Sequence, residues 1–140
     1  MHTTLKATFA LATLVIAGAA AAQPAPPPWN PSPSITASLD IGGSGGLTGV
    51  IDNQRLCYMI NAAGIMNPTA AVIRSGRKAD KGAVVLNLAP PVGGASGDCT
   101  PISGDLAQRL VKNSGDYYFE IDSATYPQGA AGAWLKGQNG

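Results

Sequence analysis

Apolar and polar positions alternate most cleanly over residues 116–122, DYYFEID. Tyr117, Phe119 and Ile121 fall on one side; Tyr118, Glu120 and Asp122 fall on the other. Period-two alternation in aromatic and β-branched residues predicts a half-buried strand. Tyr126-Pro127-Gln128-Gly129 then supplies turn chemistry, and a small apolar strand over 130–135 returns to close a terminal hairpin. A hairpin of that size is unstable alone in water, so the rest of the chain must cover its apolar face.

The same reading extends upstream. Residues 35–41 (ITASLDI) alternate and predict a first strand, followed by a flexible connection, GGSGG, at 42–46. Residues 47–51 and 55–62 predict a hairpin that turns at Asp52-Asn53. Leu56, Tyr58 and Ile60 share one parity, Cys57 and Met59 the other. With both parities apolar, this segment predicts a central strand covered on both faces. Residues 69–74 (TAAVIR) and 83–88 (AVVLNL) predict two further strands, joined by a basic loop at 77–82 that reads most simply as a solvated tip. The Pro- and Gly-rich stretch 89–98 predicts a loop running to Cys99, with a short extended piece at 100–103. A helical pattern occurs at 106–111, where Leu106, Leu110 and Val111 recur at i, i+4 and i+5 and Asp105 is placed to cap the start. Short strands, frequent turns, one short helix before the terminal hairpin and no βαβ alternation predict an all-β fold. The expected architecture is an antiparallel β-sandwich of Greek-key, Ig-like type over residues 34–137.

Composition changes the picture at the N-terminus. A polar start with Lys6 leads into an apolar run, ATFALATLVIAGA at 7–19, and then Ala20-Ala21-Ala22. That pattern predicts a secretory signal peptide over residues 1–22; the run is too short to span a bilayer. Residues 23–33 (QPAPPPWNPSP) predict an extended Pro-rich arm carrying Trp29. Export implies a periplasmic or extracellular location. It would also remove Lys6 and His2, leaving eight basic residues against eight acidic and no histidine. A neutral surface argues against nucleic acid as a partner. Loss of histidine removes the usual general base and the usual metal ligand. No stretch of the mature chain is apolar enough to predict a membrane span. Cys57 and Cys99, two cysteines in an exported chain, read as one disulfide; the alternative is a pair of reactive thiols, for which no CxxC spacing or neighbouring histidine speaks.

Four segments carry a family resemblance: LCYMINAAGI at 56–65, AAVIRSG at 70–76, KGAVVLNL at 81–88 and YYFEIDSATYPQGAAGAWL at 117–135. Their order and spacing resemble the secreted bacterial form of the CHRD domain, the module named after chordin. The resemblance keeps the strand-forming apolar positions and departs at the polar ones. The family's paired histidines fall on Val72 and Arg74, and its later histidine on Asp122. Its terminal Glu, Arg and Gln fall on Ala130, Gly132 and Trp134. The resemblance therefore implies a sandwich scaffold and carries over none of the histidine chemistry. Opposite charges at two of the replaced histidines suggest an Arg74–Asp122 ion pair across neighbouring strands, with Glu120 as a further acceptor.

Candidate chemistry is sparse. No Ser/His/Asp or Cys/His set exists without histidine, and the glycine-rich stretches lack phosphate-loop spacing, so no cofactor is expected. Glu120 and Asp122, two positions apart on one strand face, form the available carboxylate pair for metal binding or hydrolysis. The preferred reading is a secreted, non-catalytic CHRD-like module with a protein-interaction or cell-envelope structural role. Its partner would be a protein or envelope component, met through an aromatic patch of Tyr118, Tyr126 and Trp134.

Overall fold

The computed structural model of the chain describes residues 32–76, 80 and 82–138. The expected signal peptide, nearly all of the Pro-rich arm with Trp29, and Arg77, Lys78, Ala79 and Lys81 of the basic loop lie outside the described residues. In chain order the elements are β1 (Ser34–Ser38), β2 (Ser44–Asp52), β3 (Arg55–Ala63), β4 (Pro68–Ser75), β5 (Val84–Leu88), β6 (Ala95–Pro101), α1 (Gly104–Lys112), β7 (Tyr117–Ser123), β8 (Ala131–Trp134) and β9 (Lys136–Gln138). One sheet runs β6-β3-β2-β1-β9 and the other β5-β4-β7-β8, with every pairing antiparallel. The expected antiparallel sandwich with one helix ahead of the terminal hairpin is the fold observed.

Alternation explains why the sheets stack. On β3, Leu56, Tyr58, Ile60 and Ala62 are buried, and every residue between them is exposed. Ile35 and Leu47 join them from β1 and β2. The second sheet answers with Ile73 from β4 and Tyr117, Phe119 and Ile121 from β7, all in one apolar core. Leu106, Leu110 and Val111 of α1 close that core at one end. Leu135 sits between β8 and β9, where the chain crosses from one sheet to the other, and is fully enclosed.

Several expectations need correction. β3 is central but covered on one face only: Cys57 and Met59 look out to solvent. The connection expected at 42–46 is mostly strand, because Ser44, Gly45 and Gly46 already belong to β2 and pair with Ala63, Ala62 and Asn61. Glycine is required there because a Cβ at Gly45 would collide with the Asn61 carbonyl, and one at Gly46 with that of Ala37. The hairpin turns one residue later than expected, with Asn53 and Gln54 both at positive φ (44° and 60°), as a two-residue turn between twisted strands demands. The loop expected up to Cys99 is shorter, since 95–98 already belong to the edge strand β6. Ser103, not Asp105, caps α1: the Leu106 N–H donates to Ser103 Oγ at 3.1 Å. Asp105 instead meets Arg109 at 2.8 Å on the exposed face of the helix. β7 is not half-buried. It lies between β4 and β8 and is buried along its whole length on both faces.

Candidate functional site

The polar positions singled out in the sequence gather on the outer face of the second sheet. The β4–β7 register sets Arg74 opposite Tyr118 and Val72 opposite Glu120. Arg74 and Glu120 are thus diagonal neighbours on one face, within reach of long side chains. Arg74 Nε donates to Glu120 Oε1 at 3.0 Å, and Nη1 donates to the Gly82 carbonyl at 3.3 Å. Glu120 is only 2% exposed. A carboxylate so enclosed needs a bonded counter-charge, which the guanidinium supplies. Asp122 stands opposite Ala70, four positions beyond Tyr118 on β7. The register therefore delivers Arg74 to Glu120 rather than to Asp122, the partner the sequence suggested.

The three aromatic residues do not form one exposed patch. Tyr118 is buried and meets Trp134 of β8 edge to face, ring centroids 5.0 Å apart. It lies over Gly132, where a Cβ would collide with its ring. That close cover accounts for a glycine where the resemblance places an arginine. Burial pushes the Tyr118 phenol above its ordinary pKa, and the charges of Asp40 and then Glu120 push it the same way. Trp134 is half-buried and Tyr126, on the β7–β8 connection, is exposed. The Cys57–Cys99 disulfide forms on the opposite side of the molecule, between facing residues of β3 and β6.

A second feature, missed in the sequence, surrounds Tyr126. A groove of about 540 Å³ is lined by Ile41 and Gly42, by Ile65 and Met66, and by Tyr126 with its loop neighbours. A neighbouring groove of about 650 Å³ shares Gly64 and Ile65 and adds Val92 with the two glycines that follow it. The β1–β2, β3–β4, β5–β6 and β7–β8 connections thus meet at one end of the sandwich. Ile41 read as the end of the first strand, which stops at Ser38 instead, and the single apolar residues Met66 and Val92 gave no periodic signal.

Among the described residues, no group of three or more His, Cys, Asp or Glu side chains is placed to hold a metal ion. Among the same residues, no helix is long and apolar enough to cross a membrane.

Fold and site together define an all-β module: two antiparallel sheets, a cross-strand disulfide and a polar face knitted into the sheet. The CHRD domain family model matches residues 21–131, and the chain belongs to that family. The matched range covers β1 to β7 and ends at the first residue of β8. No curated protein and no solved structure gives a significant match.

Proposed function

We propose that the chain is an exported, non-catalytic CHRD module that acts by contact, with a structural or binding role at the cell envelope. The observation that carries this reading is the use made of the polar face of β7. Glu120, one of the two carboxylates a hydrolytic or metal-binding reading would need, is enclosed and bound to Arg74 at 3.0 Å. A general acid or a metal ligand must reach substrate or ion, whereas this carboxylate ties β7 to β4. The replacement of the family's histidines by Val72, Arg74 and Asp122 supports the same reading: the face is built as an internal fastening.

Metal analysis of the purified exported chain, with thermal melts in calcium, zinc or chelator, tests the proposal. Substoichiometric metal and an unchanged melting temperature are expected. A saturable rise in melting temperature with either ion, abolished by Asp122→Asn, would sink it.

A further inference from the structure

The two ends of the sandwich differ in charge. Four connections meet at the grooved end: residues 39–43, 64–67, 89–94 and 124–130. Across all four, Asp40 is the one charged residue. The opposite end carries Asp52 and Arg55 beside the β2–β3 turn, Asp105, Arg109 and Lys112 on α1, and Asp116 ahead of β7. This end, where Asp40 is exposed beside Ile41, also presents large apolar side chains to water: Met66 is 78% exposed, Val92 70%, Tyr126 63% and Ile41 60%. Each belongs to a different connection. Scattered apolar residues on a surface are ordinary, but a group gathered on adjoining loop tips with a single charge among them marks a contact surface.

Which occupant fits is decided by shape and charge. A second copy would have to fill the grooves between the tips, and it would bring the same concave end. A rigid protein partner must match the spacing of four separate tips. A fluid lipid surface needs no such match, because acyl chains and headgroups close around each inserted side chain. Tyr126 adds an aromatic ring with a polar hydroxyl, the kind of side chain favoured at the boundary between headgroups and acyl chains. With no basic residue among the tips, attraction to anionic headgroups is absent, so the fitting surface is neutral. Building on the reading as an envelope contact module, we propose that the end bearing Ile41, Met66, Val92 and Tyr126 seats the domain on a zwitterionic lipid surface.

The test is co-sedimentation of the exported chain with phosphatidylcholine vesicles, alone and with added phosphatidylglycerol, from low salt to about 0.5 M, where charge–charge attraction is screened. Binding to the neutral vesicles that survives salt is expected. Met66→Asp and Tyr126→Asp should each weaken it about tenfold or more, since a carboxylate resists entry into the interface. A Met66→Trp reporter should shift its emission to the blue on vesicle addition. Three results overturn the proposal: no binding to neutral vesicles, binding that requires the anionic lipid, or undiminished binding by the Asp variants that retain the wild-type melting temperature. A dimer in sedimentation equilibrium that Met66→Asp dissolves reassigns the surface to a second copy and also overturns it. None of these outcomes touches the non-catalytic reading, which the metal-dependent melts judge separately.

Discussion

Arg74, where the resemblance places a histidine, ties neighbouring parts of the second sheet together. Its guanidinium bridges β7 through Glu120 and the chain before β5 through the Gly82 carbonyl. Removing it strands an enclosed carboxylate. Arg74→Met is therefore expected to cost about 2–3 kcal/mol, somewhat below the value for a fully buried pair because the arginine is partly open to water. Adding Glu120→Gln should recover at least half of that loss, because the buried charge goes with its partner. Urea melts of the two single variants and the double variant close the cycle; additive losses would mean that the pair is not coupled. Tyr118 supplies a second residue-scale expectation. Its folded pKa lies above the ordinary 10.0, from burial first and then from Asp40 and Glu120. The folded chain thus keeps a proton that the unfolded chain gives up above about pH 10. This contribution to stability is complete below that pH and is lost as pH climbs through the folded value. Phenolate absorbance should show one of the four tyrosines ionising late, and Tyr118→Phe should remove that step and flatten the alkaline fall in stability.

Among the strands, β6 depends most on a covalent aid. Its sequence, ASGDCTP, is poor in strand formers, and it lies at an edge with β3 as its neighbour. The cystine joins Cys57 to the directly facing Cys99, Cα atoms 3.9 Å apart, and closes a loop of 42 positions. In the chain-entropy model such a closure is worth about 4 kcal/mol. Cys57→Ala/Cys99→Ala should lose roughly that amount, with amide exchange rising first along β6. Uniform acceleration over both sheets would show that the cystine acts on the unfolded chain without clasping this strand. The same strand shows where sequence reading stops. β2, β3 and β7 announce themselves by apolar alternation, whereas β6 is made by its register and its cross-link, neither of which leaves a local pattern. The double burial of β7 was hidden for a related reason. Glu120 and Asp122 read as solvent-facing, but both are buried on a strand that pairs with β4 along its length and with β8 as far as Ile121.

At the scale of the molecule, the shortest of the crossings between the two sheets is a single residue. β8 pairs with β7 in one sheet, β9 pairs with β1 in the other, and Leu135 is the residue between them. Its side chain enters the shared core and its N–H donates to the Tyr117 carbonyl at 3.1 Å. Ile41 adds a bridge from the β1–β2 connection to Gly132 on the same border. The sandwich and its core positions were legible in the alternation. This crossing was not, because AGAWLKGQ carries no break where the strand changes sheets. A core filled from both sheets and joined here should melt as a unit. In a Trp29→Phe background, Trp134 fluorescence reports the border of one sheet and far-ultraviolet dichroism reports both sheets; the two denaturation curves should coincide. Leu135→Ala should lower stability by about 3 kcal/mol while the curves stay together. If they separate in that variant, with the fluorescence change arriving first, the sheets hold themselves apart from the crossing. The shared core would then matter less than the argument from Leu135 requires.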